Sequence, residues 1–437
     1  MSLSTPLWLR KLQGKLHAKA KAEPGFRFYS LWDKVCHEET LAEAYRRCRA
    51  NGGAGGVDGE SFGGIEARGR EQWLGNLRMD LEGGTYKPQA LRRVWIPKSN
   101  GKLRPLSIPP IRDRVAQMAV LLVIEPIFEV DLRPQQYGFR RGLDAKMAVR
   151  KVFFHIRQHG RTEVIDGDLR DYFTTIPQGL LMKCVARRIS DSRVLSTIRS
   201  WLRAPVKHKG GHEATRRGVP QGGVISPMLS NLYFRRFVLV WYERGIAQRL
   251  NAHLVNYADD YVICCQPGSG EAAMEKARRL LTAMGLEVNE EKTRLVRLPE
   301  GSFDFLGYTL GRFYTRSTGR PYLGTRPSKK AVKRVRRRIH DETSRRWNLT
   351  SVEERVRQIN TILRGWCGYF DQGPVFREYR MLKAYTERRL RRWLMKKHQR
   401  RGTGYRQYPD EYLYETLGLY KPWAPNRRLA ESECTTS

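Results

Sequence analysis

Two adjacent carboxylates, Asp259 and Asp260, interrupt a run of residues that otherwise favours a buried β-strand. The run reads LVNYADDYVI over residues 254–263 and continues into two cysteines. Aspartate is depleted in strands and is costly to bury unless it is paired or binds a metal ion. The pattern therefore predicts a tight hairpin turn that presents acidic oxygens to a divalent cation such as Mg²⁺. Taken alone, the pair is more typical of an ordinary Asp-Asp hairpin turn than of a metal site, and other segments of the chain are needed to favour the metal site.

The charge of the chain narrows the class of partner. Its 437 residues include 81 Lys plus Arg against 44 Asp plus Glu, a formal net charge of +37. A charge of this size indicates a polyanionic partner. No apolar run approaches the roughly 18 to 20 residues of a membrane-spanning helix, and the N-terminus lacks a signal-peptide pattern. We therefore expect a nucleic-acid partner, no membrane partner and a cytoplasmic location.

Basic residues are most concentrated in the C-terminal third. Residues 326–401 contain 24 Lys plus Arg against 7 Asp plus Glu, with Trp and Tyr interleaved. The segment has a helical pattern, and we expect it to bind backbone phosphates rather than form a merely solvated surface. Residues 7–22 form a smaller basic amphipathic helix with Leu9, Leu12 and Leu16 on its apolar side.

A second acidic strand covers residues 164–176, with the sequence VIDGDLRDYFTTI. Asp166 and Asp168 share one face at the period of a strand. Asp168 is followed by the aromatic pair Tyr172 and Phe173. An aromatic ring five residues after a metal-binding Asp can form a wall beneath a nucleotide sugar, where it would collide with a 2′-hydroxyl.

Three further segments have compositions suited to phosphate or base contact. Residues 94–109 (VWIPKSNGKLRPLSIP) predict a hairpin whose tip carries Lys98, Lys102 and Arg104, which could hold a triphosphate or simply be solvated. Residues 137–142 (YGFRRG) combine aromatic rings with Arg140 and Arg141. Residues 216–232 form a Gly-Pro loop leading into a helix from about residue 226, where backbone amides can approach a template closely.

In this order, these segments resemble the reverse transcriptases, or maturases, encoded by bacterial group II introns. The resemblance rests on IPKSNGKLRPLSIP, YGFRRG, DGDLRDYFTTI, RRGVPQGGVISPMLSNL, YADD, LEVNEEKT, FLGYTL and ILRGWCGYF, and it covers nearly the whole chain. It implies an α+β right-hand polymerase: fingers, a palm with an antiparallel sheet, a helical thumb and a basic C-terminal region. The implied domains are a basic N-terminal extension (1–60), fingers and palm (61–325), thumb or maturase domain (326–400) and a basic, aromatic tail (401–437) that binds DNA or is partly disordered.

The resemblance also assigns roles to individual residues. Asp168, Asp259 and Asp260 would be catalytic and would bind two Mg²⁺ ions, for which Mn²⁺ can substitute. Leu169 is grouped with them as a metal-site residue, and Lys292 is a candidate general acid. The implied nucleotide-binding residues are Lys98, Arg104, Phe173 and Gln221. The implied RNA-binding residues are Arg140, Arg141, Lys333, Arg334, Arg336, Arg337 and Arg338.

The implied activity is RNA-directed DNA synthesis, together with binding of a group II intron RNA to assist splicing and intron mobility. The implied partners are intron RNA, an RNA template with a DNA primer, deoxynucleoside triphosphates and target DNA, with an undefined oligomeric state, in a bacterial cytoplasm at the nucleoid. Thr174 stands where relatives commonly have an acid. The cysteine pairs of the H-N-H endonuclease found in many relatives are not seen, so we expect a chain lacking that domain.

Two other functions compete with this one. The first is an RNA-binding splicing factor with a vestigial polymerase site, against which the intact set of Asp168, Asp259 and Asp260 argues. The second is a related reverse transcriptase serving phage defence or CRISPR spacer capture. The ILRGWCGYF block and the basic helical region favour the intron-encoded class.

Overall fold

The computed structural model describes residues 5–97, 103–208, 210–315 and 318–422. The chain divides into two compact units, each built from two stretches of sequence. The first unit comprises Met1–Asp144 and Gly167–Arg294, and the second comprises Ala145–Asp166 and Leu295–Ser437. No helix among the described residues combines the length and the apolar composition that a membrane span requires.

The first unit is mainly helical with two small groups of strands. Its helices are α1 (Leu7–Ala22), α2 (Trp32–Cys36), α3 (Glu38–Asn51), α4 (Phe62–Arg68), α5 (Arg70–Gly83), α6 (Ile111–Asp131), α8 (Tyr172–Thr175), α9 (Gln178–Ala186), α10 (Ser192–Arg203), α11 (Ser226–Glu243), α12 (Ile246–Arg249) and α13 (Gly270–Ala283). Its strands are β1 (Leu91–Pro97), β2 (Leu103–Ile108), β4 (Val206–His208), β5 (Gly211–Glu213), β6 (Ala252–Tyr257) and β7 (Asp260–Cys265).

The apolar helices predicted from the sequence form the core of the first unit. Helix α6 is buried along nearly its whole length, because apolar residues occupy most of its positions. Helices α1 and α3 pack against it, and Leu9, Leu12 and Leu16 of α1 are buried as predicted. The side chain of Gln13 ties α1 to α6 by donating a 2.8 Å hydrogen bond to the carbonyl of Leu122. Helix α11 begins at Ser226, the predicted position.

The first group of strands has the order β2-β1-β4-β5. Strands β1 and β2 are antiparallel, in a register that pairs Arg92 with Ile108 and Pro97 with Leu103. The predicted turn between them, including Lys98 and Lys102, lies outside the described residues. Strands β6 and β7 form the other hairpin, with Tyr257 paired to Asp260.

The second unit combines a strand meander with a helical bundle. Its elements are α7 (Ala145–His159), β9 (Ser302–Phe305), β10 (Tyr308–Tyr314), β11 (Pro321–Pro327), α14 (Lys329–Glu342), α15 (Val352–Tyr369) and α16 (Phe376–Lys397), with short helical turns at Arg345–Trp347 and Tyr412–Thr416. Strands β3 (Glu163–Asp168) and β8 (Arg294–Arg297) contain residues of both units. The predicted α+β class is confirmed.

Residues of the predicted tail contribute to the core of the second unit. Leu413 and Leu419 are buried with Ile359 of α15 and Leu394 of α16. The guanidinium of Arg391 is fully buried and donates to the carbonyl of Tyr408 at 2.8 Å. Residues 401–422 of the tail are therefore folded. The remaining residues, 423–437, lie outside the described part of the chain.

Candidate active site

The paired carboxylates lie at the turn of the β6–β7 hairpin, as predicted. Tyr257 and Asp260 form the last cross-strand pair, so the turn itself consists of Ala258 and Asp259. Ala258 has φ = 59°, in the left-handed region that costs energy for a residue with a Cβ. The surrounding structure must therefore hold this turn in place.

Asn256 is the residue that holds it. Its amide is completely buried and donates to the carbonyls of Ala258 at 2.8 Å and Asp260 at 3.1 Å. The backbone carbonyl of Asn256 accepts from the backbone N–H of Tyr137 at 2.9 Å, which brings the YGFRRG segment against the hairpin. Gly138 follows, and a Cβ at that position would lie 2.5 Å from the backbone nitrogen of Ala258.

The third predicted carboxylate, Asp168, ends strand β3. Gly167 precedes it because a Cβ there would come within 2.2 Å of the ring of Tyr261 on β7. Leu169 follows it, with a buried side chain and an antiparallel bridge to Val288. The apolar side chain of Leu169 offers no metal ligand, so only its backbone carbonyl fits the metal-site role predicted for this residue.

Two side chains in the described part of the chain donate to the Asp168 carboxylate. The ammonium of Lys292 lies 3.0 and 2.9 Å from its two oxygens, and the amide of Asn289 donates to Oδ2 at 2.9 Å. Thr293 contacts the backbone of the same residue, accepting from its N–H at 3.2 Å. Sequence patterns singled out Lys292 but not Asn289, Thr293 or Asn256; a polar amide inside the apolar run LVNY was the signal available for Asn256.

The negative charge of Asp168 acts on the carboxyl of Asp259. Burial, and to a smaller extent the negative charge of Asp168, raise the pKa of the Asp259 carboxyl, while Arg104 and Lys292 act in the opposite direction. Asp260 is exposed at the start of β7. The structure therefore brings together Asp168, Asp259, Arg104 and Lys292, with Asp260 adjacent in the chain.

The donor set suits a hard cation. Carboxylate oxygens are the ligands that Mg²⁺ prefers, and two partly buried carboxylates that repel each other are stabilised by a divalent cation. The residues fit Mg²⁺ in chemical type. Among the described residues, however, no three His, Cys, Asp or Glu side chains are already grouped in metal-binding geometry.

The Gly-Pro loop connects two of the predicted nucleotide-binding residues. The backbone N–H of Val219 donates to the carbonyl of Phe173 at 2.6 Å, and that of Ser107 on β2 donates to the carbonyl of Gln221 at 2.7 Å. Gly218 has φ = 83° and packs so closely on Thr174 that a Cβ would lie 2.6 Å from its backbone. The Gln221 Oε1 atom is buried without a partner among the described residues.

The two arginines of YGFRRG have different environments. Arg140 is largely buried and forms an ion pair with Glu129 at 2.5 Å, and it also donates to two backbone carbonyls at 2.8 Å. This geometry favours a structural role over the predicted RNA contact. Arg141 is about half exposed and lies 3.2 Å from Glu125.

The predicted basic cluster lies on helix α14. Ala331, Val335 and Ile339 form its buried side. Lys333, Arg334, Arg337 and Arg338 are exposed, and none of them has an acidic partner among the described residues. Arg336 differs from these four because its guanidinium lies over the ring of Tyr385, 5.5 Å from the centroid.

Two family models match parts of this chain. Residues 96–310 match the family described as reverse transcriptase (RNA-dependent DNA polymerase), and residues 332–409 match the maturase-specific domain of group II introns. Protein YkfC of Escherichia coli K12 is 37% identical, in an alignment covering 74% of this chain and 93% of that protein.

Two further relatives are longer than this chain. The group II intron-encoded protein LtrA of Lactococcus lactis subsp. cremoris is 28% identical over 62% of this chain and 45% of its own length. A putative COX1/OXI3 intron 1 protein of Saccharomyces cerevisiae is 28% identical over 62% of this chain and 38% of its own length. The chain therefore spans less than half of these two relatives.

The contact between Gly138 and the hairpin turn is open to a direct test. Gly138→Ala places a Cβ against the backbone of Ala258, which cannot move without displacing Asp259. We expect a cost of about 1–3 kcal/mol, a lower melting temperature and faster hydrogen exchange at the turn amides. Gly179→Ala on helix α9 is the matched control, because nothing lies within 4 Å of its Cβ. Equal melting and exchange in the two variants would contradict the tight contact.

Proposed function

This chain belongs to the reverse transcriptases, which are RNA-directed DNA polymerases, and carries the maturase-specific domain of group II introns; on this premise we propose that Asp168, Asp259 and Asp260 are its catalytic, metal-binding carboxylates. The observation that supports this assignment most directly is that Lys292 contacts the Asp168 carboxylate while the charges of Asp168, Arg104 and Lys292 act on the pKa of Asp259. Two acids and two cations contributed by separate segments around the β6–β7 turn suit a triphosphate substrate and divalent cations.

Mg²⁺, or Mn²⁺ in its place, would neutralise charge on the triphosphate and lower the pKa of the primer 3′-hydroxyl. The protein's own residues supply alignment and further charge. Arg104 and Lys98 bind the triphosphate, and Gln221 contacts the template or the incoming nucleotide. Phe173 stacks beneath the sugar, and Lys292 delivers a proton from Nζ to the departing pyrophosphate.

The second unit is proposed to hold the nucleic acid. The exposed cations of α14 lack acidic partners among the described residues, so they are available to phosphates. We assign them to a group II intron RNA, whose binding would assist splicing and mobility, with target DNA as a further partner. This role, in a bacterial cytoplasm at the nucleoid, is consistent with the net charge of +37.

Primer extension on an RNA template with deoxynucleotides and Mg²⁺ tests the catalytic assignment. Asp259→Asn preserves shape but removes the charge, so we expect extension to fall by roughly 100-fold or more while RNA affinity is unchanged. Asp33→Asn, which alters an exposed acid of α2, should extend like wild type. Wild-type extension by Asp259→Asn would contradict the role of Asp259. No extension by wild type, with tight RNA binding retained, would favour a splicing factor with a vestigial polymerase site.

Phe173→Val tests sugar selection. Shortening the ring should relieve the collision with a 2′-hydroxyl, so we expect ribonucleotide incorporation to rise roughly 10- to 100-fold relative to deoxynucleotides. Single-nucleotide incorporation kinetics measure the ratio of the two kcat/KM values. Phe26→Val removes the same volume from a partly buried position near the N-terminus and should leave the ratio unchanged. An unaltered ratio in Phe173→Val would remove this residue from its assigned role.

A triple neutralisation, Arg334→Gln with Arg337→Gln and Arg338→Gln, tests the α14 surface. Loss of three phosphate contacts should reduce the slope of log affinity against log salt concentration by about 2. The matched control neutralises three exposed arginines that already pair with glutamates: Arg68, Arg78 and Arg279. RNA binding is measured across a salt series. Equal slopes in the two triple variants would exclude the α14 cluster from the phosphate contacts.

A further inference from the structure

Asp168 is contacted by a single turn, residues 289–293. The carbonyl of Asn289 accepts from the backbone N–H groups of Lys292, at 3.1 Å, and Thr293, at 2.8 Å. The turn is aligned with the end of β3 by the Leu169–Val288 bridge, and by a 2.8 Å hydrogen bond from the N–H of Arg170 to the carbonyl of Glu287. Three side chains of the turn thereby meet one acidic residue, Asp168.

Asn289 binds Asp168 through both its backbone and its side chain. Its backbone N–H donates to the carbonyl of Asp168 at 2.9 Å, and its side-chain Nδ2 donates to the carboxylate Oδ2, also at 2.9 Å. The backbone bond fixes where Asn289 sits, so the short side chain has little freedom when it reaches the carboxylate. This double contact orients the plane of the Asp168 carboxylate.

The identity of the amide group facing the carboxylate follows from chemistry. An amide oxygen would repel the carboxylate, so the NH₂ group must face Asp168. The Asn289 Oδ1 atom is buried and has no partner among the described residues. Among the described residues, the side chain of Asn289 therefore hydrogen-bonds to Asp168 and to no other element. This argues against a purely structural function for the side chain.

Asn289 and Lys292 differ in how they can coexist with a cation. Both donate to Asp168, but Lys292 carries a positive charge on a side chain that is 59% exposed. A divalent cation at Asp168 would repel that ammonium. The neutral amide of Asn289 has no such conflict. It donates only to the Oδ2 atom of Asp168 and leaves the Oδ1 atom of Asp168 for a ligand.

We propose that Asn289 is a positioning residue that holds the Asp168 carboxylate in the orientation needed to bind a divalent cation. This inference rests on the proposed function of Asp168 as a metal ligand. Hydrogen bonds to ligating carboxylates are worth roughly 10- to 100-fold in metal affinity or activity. Asn289 acts through Asp168 and does not touch the substrate.

Binding of Mn²⁺ to the full-length chain, followed by electron paramagnetic resonance, tests this role without relying on catalysis. Asn289→Ala removes the side-chain donor but keeps the three backbone hydrogen bonds of the turn. Asn289→Asp keeps the shape but replaces the donor with a charged acceptor. Glu291→Gln changes the charge of an exposed neighbour in the same turn and is the control. Melting temperature and RNA affinity are measured for each variant, with Mn²⁺ titrated below the lowest melting temperature.

We expect Asn289→Ala to weaken Mn²⁺ binding roughly 10- to 100-fold and to raise the Mg²⁺ concentration for half-maximal primer extension by a similar factor. The KM for deoxynucleotides at saturating metal should stay near that of wild type. Asn289→Asp should not restore Mn²⁺ affinity, and Glu291→Gln should bind like wild type.

Two results would overturn the proposal. Wild-type Mn²⁺ affinity in Asn289→Ala would show that Asp168 needs no positioning by this amide. Tighter binding in Asn289→Asp than in wild type would make residue 289 a direct ligand instead. Failure of the proposed function gives a different result. In that case Asp168→Asn would not reduce the Mn²⁺ binding of the wild-type chain.

Discussion

The electrostatic repulsion of Asp259, at the β6–β7 turn, by Asp168, at the end of β3, is the constraint on which the site depends. The two residues come from separate segments, and burial makes the negative charge of Asp259 more costly. Arg104 on β2 and Lys292 in the turn after α13 offset this cost in the protein. The strands that carry these four residues must therefore be fixed relative to one another. Much of the surrounding architecture achieves this through close backbone contacts rather than through large side chains.

Neutral amides and glycines provide that fixation. Asn256 supports the hairpin turn, and Asn289 supports Asp168, each by donating to an oxygen at the site. Gly138 and Gly167 let other segments approach where a Cβ would overlap. These residues carry no formal charge, so they shape the site without changing its net charge. A reverse transcriptase needs this separation, because its charged residues must remain available to the substrate.

Sequence reasoning identified the charged residues of the site and missed the supporting residues Asn256, Asn289 and Thr293, for a physical reason. Paired aspartates in an apolar run drew attention to Asp259 and Asp260, and the ordered motifs around them, rather than the pair alone, predicted their role. The amides act through contacts between segments far apart in the chain: Asn289 reaches back to Asp168 over 121 residues. A local sequence pattern does not reveal contacts between segments that are distant in the chain. The same limit explains Arg140, whose burial against Glu129 depends on tertiary packing.

The loop between Gly218 and Gln221 has a consequence for how the nucleotide pocket can evolve. One end of this loop is bonded to the carbonyl of Phe173 and the other to the N–H of Ser107, on the strand that carries Arg104. The residues proposed to contact the sugar and the phosphates are thus joined by one loop. Substitutions at the two ends should be epistatic, because a shift at either end is transmitted to the other. Selection on sugar choice would then also act on triphosphate geometry, and the two traits would change together.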